Sequence, residues 1–408
     1  MKPIHCALLA TSVLGTMSAS AASGLFVNGL SGDSAWDKAW SVATLYKDKE
    51  NPILQEFTLQ GRLQVQTIYG EAGGDSFNTS DYRGSSGSAN DERVWGDSIE
   101  VRRARFGFKS KWFNNFKFEG QIDVDTDADP SLYKNIYDLY VTYAPNDAFN
   151  ASIGKTKVRF SREQEISSTR IVTFERALLS NEFAPGELTG IWFNGKDIAG
   201  GWLYEAGIYK NDRQREFTRS ESESGHIFLG KVGYDYAEQA GLDAAVTSFH
   251  YMRNTNPGYN PPDSENFVTS ASPRFAHSFA ITNDITMGKF GLMTEAYYGI
   301  GENEGSNQSD VVGLTIIPTY DFTKCLQLVG RLQVASSSDP NGLRVSSRYE
   351  RLAAGDDESG NTYTAAYLGL NYYIYGHKLK FMNGIEYSQI GGGTYDGYTF
   401  MSGLRMSF

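Results

Sequence analysis

The chain has 408 residues and a formal net charge of −11 at pH 7, an acidic balance that argues against a general nucleic-acid binder. It contains 43 Gly, 25 Tyr and 24 Phe but only 11 Pro. No apolar run approaches the roughly eighteen residues of a membrane-spanning helix. The length would allow two or three soluble domains or one large barrel. The composition favours a barrel, because barrel strands alternate and dilute their apolar content.

Residues 1–21 have the features of a signal peptide. Lys2 gives a basic start, residues 4–15 form a modest apolar stretch, and Ala19-Ser20-Ala21 provides a cleavage site of small residues. The stretch is too short to cross a bilayer as a helix. We therefore predict export to the periplasm and exclude these residues from the fold, with cleavage one residue later as an alternative.

Residues 22–55 form an N-terminal extension without strand-like alternation. Its segment SAWDKAWSVATLYKDKENP predicts a short amphipathic helix with Ser34 as the cap. Trp36, Trp40 and Leu45 are the apolar side chains expected to dock this helix.

From about residue 56 to the C-terminus the dominant pattern has a period of two. In FTLQGRLQVQT (57–67), apolar residues alternate with polar ones that include Arg62. The same split recurs in FKFEGQIDVD (116–125) and LQLVGRLQV (326–334). Polar faces this rich in charge and amide groups are typical of a barrel with a water-filled interior.

The connections between these strands alternate in length. Short connections lie at 111–115, 144–147, 194–197, 236–240, 287–289, 322–324 and 375–378. Long polar connections lie near 71–97, 126–133, 156–188, 210–224, 253–274, 301–309, 338–360 and 391–395. Seven turns and eight loops join sixteen strands. We therefore predict that residues 56–408 form an all-β transmembrane antiparallel barrel, in which the last strand pairs with the strand near 56–68.

The chain ends in YTFMSGLRMSF, an alternating segment that stops at an aromatic residue. Phe408 resembles the terminal aromatic that marks outer-membrane barrels for their assembly machinery. This ending predicts a location in the cell outer membrane of a Gram-negative-type bacterium. The predicted partners are the barrel assembly machinery, outer-membrane lipid and lipopolysaccharide.

Residues 99–194 carry the most specific motifs. The arginine-rich strand in EVRRARFGFKSKWFNNFKFEGQIDVD is followed by NIYDLYVTY, by a long loop that begins IGKTKVRFSREQ and includes ISSTRIVTFERALLSNEFAPG, and by GIWFNG. Together these stretches resemble the phosphate-selective porin O and P family. The resemblance implies a sixteen-stranded homotrimeric porin whose third loop, here 156–188, folds inward to form a constriction that carries Arg and Lys.

Strand phase supplies the first candidates for pore-lining cations. Arg62, Arg331 and Arg405 each lie on the polar side of an alternating strand. In the second strand the phase is ambiguous. If Ala104, Phe106 and Phe108 face lipid, the lumen receives Arg103, Arg105 and Lys109. If Ile99 and Val101 set the phase, Arg102 points inward instead, and a β-bulge would reconcile the two; we favour Arg103 and Arg105.

The third loop contributes further candidates at its beginning: Lys155, Lys157, Arg159, Arg162 and Arg170. These cations could form a positive constriction that replaces the hydration of a small anion. The alternative is that they pair with acids of the loop or of the facing wall and only hold the loop in place. Lumenal acids such as Glu119 and Asp123 would then create the transverse field of an unspecific porin.

The sequence gives little support for a catalytic or a metal-binding site. No HExxH, GxSxG or Cys/His cluster occurs, and the nearest approach to a Ser–His pair is Ser248 with His250. The segment DVDTDADPS (123–131) lacks both the glycine and the final glutamate of a calcium loop. We predict a non-enzyme without cofactor or metal.

The predicted function is passive diffusion of small hydrophilic solutes, with a preference for anions and phosphate as a candidate. The alternative is a non-selective or sugar-permissive general porin. A barrel enzyme and a surface adhesin are remote alternatives.

Overall fold

A computed structural model describes residues 32–73, 83–86, 93–124, 132–218, 222–259, 273–301, 308–340, 342–345, 359–392 and 395–408. The predicted signal peptide lies outside these residues. So does most of the segment that was compared with a calcium loop.

The described residues contain sixteen antiparallel strands that close into one barrel. They are β1 Leu54–Gly73, β2 Arg93–Trp112, β3 Phe116–Val124, β4 Tyr133–Asn146, β5 Phe149–Lys157, β6 Glu187–Ile198, β7 Trp202–Lys210, β8 His226–Asp235, β9 Ala244–Asn254, β10 Phe275–Met287, β11 Phe290–Gly301, β12 Val311–Asp321, β13 Leu326–Ser337, β14 Thr362–Tyr375, β15 Leu379–Gly391 and β16 Asp396–Ser407. Each strand pairs with the next, and β16 pairs with β1, where Leu63 lies opposite Met406. The predicted fold class and the pairing that closes the barrel are confirmed.

The connections alternate in length as predicted. The short ones lie at one end of the barrel, here called the turn end, and the long ones lie at the other, the loop end. Four further short strands lie outside the barrel count: Thr44–Lys47, Arg83–Ser86, Leu343–Arg344 and Ser359–Gly360. The helices are α1 Ala35–Ser41, α2 Arg162–Glu165, α3 Leu178–Glu182 and α4 Ala237–Ala240, with a 3₁₀ turn at Ser222–Ser224. In the described part of the chain, none of the helices is long and apolar enough to cross a membrane.

The outward faces of the strands carry an apolar surface with aromatic residues near both ends. Phe116, Phe149 and Phe381 are exposed near the turn end, and Tyr69 and Tyr398 are exposed near the loop end. Such paired aromatic girdles mark the two interfaces of a membrane-spanning barrel.

Two aromatic residues of the girdle regions point the other way. Trp192 and Tyr373 are buried on the lumen side, whereas Trp202 and Tyr372 are exposed on the outside. Trp192 packs against Tyr140, with ring centroids 5.2 Å apart. Aromatic character alone therefore does not distinguish a girdle residue from a lumenal one.

The N-terminal extension is docked at the seam between β1 and β16. Ser34 caps α1 in a capping box with Asp37, and hydrogen bonds from Ser34 and Tyr375 lower the pKa of Asp37 to about 2. Trp40 Nε1 donates to the Ser407 carbonyl at 2.6 Å. The strand Thr44–Lys47 pairs with the first residues of β1, so Leu45, expected in the helix, lies in a strand instead.

Candidate functional site

The loop between β5 and β6, residues 158–186, lies inside the barrel and is here called the inner loop. Its apolar side chains pack against the lumen wall, and Phe160, Phe174 and Phe183 are fully buried. Phe183 stacks on Phe275 of β10, with ring centroids 4.4 Å apart. The loop is thus fixed by a small apolar core on one side of the lumen.

Basic side chains of the opposite wall tether the other side of the inner loop. Lys380 Nζ donates to the Ile171 carbonyl at 2.5 Å, and Arg331 Nη1 donates to the Glu175 carbonyl at 2.6 Å. Arg62 Nη1 lies 2.5 Å from Ser168 Oγ. These bonds stretch the loop across the lumen between the two walls.

On the lumen side of four neighbouring strands at the seam, six cations lie in two adjacent rows, and we call this group the basic band. Its members are Lys380 on β15, Arg405 on β16, Arg62 on β1, and Arg102, Arg103 and Arg105 on β2. The inward direction of all of them except Arg102 follows from strand alternation. Arg405 is 2% exposed, whereas its neighbour Leu404 is 43% exposed on the outer face.

Strand register brings the basic band together in two rows. In one row Lys380 lies opposite Arg405, and Gln64 lies opposite both Arg405 and Arg103. In the other row, nearer the turn end, Arg62 lies opposite Arg105. Cations from strands that are remote in sequence are therefore direct neighbours.

A β-bulge resolves the ambiguous phase of β2. Gln64 pairs with Arg103 and Val65 pairs with Val101, so Arg102 is the extra residue between them. A bulge places two successive side chains on the same face of the sheet. Arg102 therefore faces the lumen together with Arg103, and both alternatives left open by the sequence apply at once.

Two carboxylates form ion pairs with the basic band among the described residues. Glu175 of the inner loop lies 2.7 Å from Arg102 Nε and 3.2 Å from Arg103 Nη2. Asp123 of β3 pairs with Arg105. Burial alone would raise the pKa of Glu175, but the two arginines outweigh burial and hold the pKa well below its ordinary value.

Arg62 and Lys380 have only neutral hydrogen-bond partners within the described chain. Arg62 bonds to Ser168 and Gln121, and its Nε has no partner. Arg105 stacks on the Tyr137 ring, with Cζ 3.3 Å from the ring centroid, and its Nη1 also lacks a partner. Both nitrogen atoms are buried, so the band would act on an anion through its electric field and not through these two donors.

A cavity of about 640 Å³ opens between the inner loop and the turn end. Its lining includes six basic and four acidic side chains: Lys109, Lys111, Lys117, Arg159, Lys196 and Lys231, with Glu56, Glu119, Asp147 and Glu205. Tyr140 and Tyr204 also line it. Lys109, a predicted pore residue, is here 3.2 Å from Glu119.

Three predicted pore residues hold the inner loop by ion pairs or backbone contacts. Arg331 pairs with Glu386 at 2.6 Å and is nearly fully buried. Arg162 lies 2.7 Å from Asp284, and Lys157 donates to the Gln164 carbonyl. These contacts match the alternative in which the cations act as structural tethers.

Two other predicted residues lie away from the basic band. Arg170 is at the tip of the inner loop, near the turn end, where it lines a cavity of about 610 Å³ together with His377 and Lys378. Lys155 lies opposite Leu139 and Thr189 and shares the outward face with Ile153. The expectation that Lys155 lines the pore is corrected accordingly: its ammonium is buried against the Gln214 carbonyl.

Two residues of the site were not among the sequence candidates. Lys380 lies on the polar side of LKFMNGIEYSQI, opposite the exposed Phe381 and Ile385, so alternation could have identified it. Glu175 was known as a loop acid, but its position between two arginines depends on the path of the loop. No local pattern predicts that path.

The Ser248 and His250 pair faces the lumen. Both side chains are buried, and His250 Nε2 lies 3.3 Å from Thr282 Oγ1. Among the described residues, no group of three or more His, Cys, Asp or Glu side chains is arranged to hold a metal ion.

A closed sixteen-stranded barrel with aromatic girdles, a polar lumen and a loop inside it defines an outer-membrane channel. The family model for phosphate-selective porin O and P matches residues 74–386, and the chain belongs to that family. The protein is thus located in the outer membrane of a Gram-negative bacterium. No curated protein sequence matches the chain significantly.

Several solved porin structures have the same fold at low sequence identity. The outer-membrane channel DcaP of Acinetobacter baumannii is 15% identical, with a TM-score of 0.52 over 89% of this chain and 99% of that one. OmpT of Vibrio cholerae is 12% identical, with a TM-score of 0.52 over 86% and 97%. OmpF of Salmonella typhi is 11% identical, with a TM-score of 0.53 over 86% and 98%.

Proposed function

We propose that the channel conducts small anions in preference to cations, with phosphate as the candidate substrate suggested by the family name. The observation that carries this proposal is the basic band, in which Arg62 and Lys380 bond only to neutral groups among the described residues. Fixed cations in a narrow passage with low-dielectric walls raise the local concentration of anions. Guanidinium and ammonium donors can also replace part of the hydration shell of the anion.

The net negative charge of the protein does not oppose this selectivity. Exposed acids that lie more than about 10 Å of saline from the lumen, roughly one Debye length, are largely screened. Selectivity depends on the charges at the narrow part of the channel.

The alternative proposal is a general porin that also admits neutral sugars. The cavity on the turn side supports it, because Glu119, Glu205 and Tyr140 oppose the basic residues there. A mixed lining of this kind produces a transverse field with little net preference. The two proposals predict different ion selectivity.

We also propose that the protein assembles as a homotrimer. A trimer form is recorded for OmpT of Vibrio cholerae, which is 13% identical with a TM-score of 0.52. Recognition by the barrel assembly machinery through Phe408 remains part of this proposal. Phe408 pairs with Gly61 of β1: its backbone N–H donates to the Gly61 carbonyl at 3.0 Å.

The test is the double variant Arg62→Gln and Lys380→Gln, which removes two cations of the band without stranding an acidic partner. We expect the anion-to-cation permeability ratio, measured as reversal potential in a planar bilayer under a KCl gradient, to fall about threefold or more. Added phosphate should also block the chloride current less in this variant than in the wild type.

The matched control is Lys289→Gln with Lys324→Gln, which removes the same charge from two turns outside the lumen. This control should keep the wild-type reversal potential. If the band variant also keeps it, Arg62 and Lys380 are only tethers of the inner loop, and the general-porin alternative is favoured.

A further inference from the structure

Four polar side chains on the outer surface form a group that channel function does not use. This outer cluster consists of Lys210 on β7, His226 on β8, Arg253 on β9 and His277 on β10. Its members point away from the lumen, because alternate residues of a strand share a face. On β9, for example, Arg253 is in phase with Phe249, which is 43% exposed, while His250 is buried inside.

The outer cluster lies just beyond an aromatic row at the loop end of the barrel. In that row Tyr251 lies opposite Phe279, and Phe279 lies opposite Tyr298. Two residues further toward the loop end, on the same face, Arg253 lies opposite His277. Aromatic rows of this kind occupy the boundary between hydrocarbon and headgroups, so the cluster lies at the depth of the outer-leaflet headgroups.

Strand register also places Lys210 within reach of this pair. Lys210 lies directly opposite His226, and the adjacent Phe228 lies opposite Arg253. Lys210 and Arg253 are therefore separated by two strands across the sheet and by two residues along it. Long side chains can converge on a single headgroup across that distance.

Hydrogen bonds orient the side chains of the cluster. Arg253 Nη1 lies 2.6 Å from His277 Nε2, and because arginine has no acceptor, the ring nitrogen must accept this bond. His277 Nδ1 then carries the proton and donates to Tyr251 Oη at 2.9 Å. His277 thus orients the guanidinium, and Arg253 and Lys210 supply the positive charge of the cluster.

The acids near the cluster leave this charge available. Asp310 accepts a hydrogen bond from Tyr298 at 3.0 Å, and Asp212 lies near Lys210. Neither forms an ion pair with Arg253 or Lys210 within the described ranges of the chain. The bond to His277 uses one of the five donors of Arg253.

We propose that the outer cluster binds a phosphate group of the glycolipid in the outer leaflet, the lipid A part of lipopolysaccharide. A guanidinium presents paired donors that match phosphate geometry, and an ammonium adds a second charge. The aromatic row below the cluster would contact the first part of the acyl chains. A lipid phosphate is favoured over a soluble anion because the site faces the membrane and is separated from the lumen by the wall.

The test measures how much lipid A the detergent-purified protein retains, using native mass spectrometry. The variant is Lys210→Gln with Arg253→Gln, and the control is Lys289→Gln with Lys324→Gln at the opposite end. We expect the variant to retain about fivefold less bisphosphorylated lipid A than the wild type or the control. Dephosphorylated lipid A should be retained equally by all three proteins.

The single variant Arg253→Lys covers the case in which the double variant does not fold. It keeps the charge but loses the paired donors, so its retention should be intermediate. Equal retention of lipid A by wild type and variants would overturn the proposal and leave the cluster a structural contact. Full displacement of lipid A by millimolar inorganic phosphate would indicate a soluble-anion site. Loss of the oligomer in the variants would indicate a subunit interface.

Discussion

At the scale of single residues, the lumenal cations differ in whether an acidic side chain pairs with them. Arg331 is committed to Glu386 by a buried ion pair, whereas Arg62 bonds only to neutral groups within the described chain. The distinction matters because a paired cation contributes little to the field that an anion experiences. Residue type and strand phase alone do not reveal it.

Glu175 is the residue whose loss should affect the inner loop most directly. Glu175→Gln leaves two partly buried arginines without their carboxylate, and we expect the free energy of unfolding to fall by about 3 kcal/mol at pH 7. The measurement is thermal unfolding in detergent, with the exposed Glu238→Gln as the control. A transition temperature equal to that of the control would mean that the ion pair contributes nothing.

The pH dependence of this effect has a definite sign. The pKa of Glu175 is lowered in the folded state, so the stabilisation is present above the unfolded value of about 4.3 and is lost as the pH falls through the folded value. The difference between wild type and Glu175→Gln should therefore persist from pH 7 to pH 5. It should shrink only below about pH 4.

Single residues also show which side-chain directions the sequence predicts and which it does not. The inward direction of Arg405 followed from alternation, and the structure agrees. The sequence predicts Lys155 as part of the charged loop, yet it still belongs to β5 and points outward. The facing of a residue at a strand end depends on where the strand stops, which the sequence indicates only approximately.

At the scale of elements, strands and turns could be predicted because their signals are local. Period-two alternation identified segments such as 57–67, and short polar connections located the turns. The inner loop could be predicted only through family resemblance, since its path depends on distant contacts such as that between Lys380 and the Ile171 carbonyl. The docking position of the N-terminal helix also depends on distant contacts, such as that between Trp40 and the Ser407 carbonyl, and was not predicted.

That helix is an element with a testable structural role. Trp40 combines a hydrogen bond to the last residues of β16 with ring contacts to Trp36 and Tyr375, at centroid distances of 5.7 and 5.3 Å. We expect Trp40→Ala to lower the free energy of unfolding by about 1–2 kcal/mol, because the hydrogen bond and the aromatic contacts are lost together. Chemical denaturation in detergent measures this difference.

The matched variant Trp40→Phe separates the two contributions. It retains an aromatic ring but loses the hydrogen bond to the Ser407 carbonyl, so about half of the destabilisation should remain. Wild-type stability of both variants would show that the extension rests on the barrel without stabilising the seam.

At the scale of the whole molecule, the local charge of a surface differs from the net charge of the protein. The protein carries a net charge of −11, yet six cations gather on the lumen side of four adjacent strands at the seam. The walls of the barrel separate this lumenal field from the outer cluster near the lipid headgroups. One chain thus presents two basic surfaces, which we assign to a permeant anion and to a lipid phosphate.

The most direct test of the central proposal is the zero-current potential of the wild-type channel in a planar bilayer under a tenfold KCl gradient at neutral pH. The basic band predicts the sign produced by a chloride-preferring pore, despite the acidic total of the protein. A potential of the opposite sign, showing preference for potassium, would contradict the assignment of the band as the selectivity element.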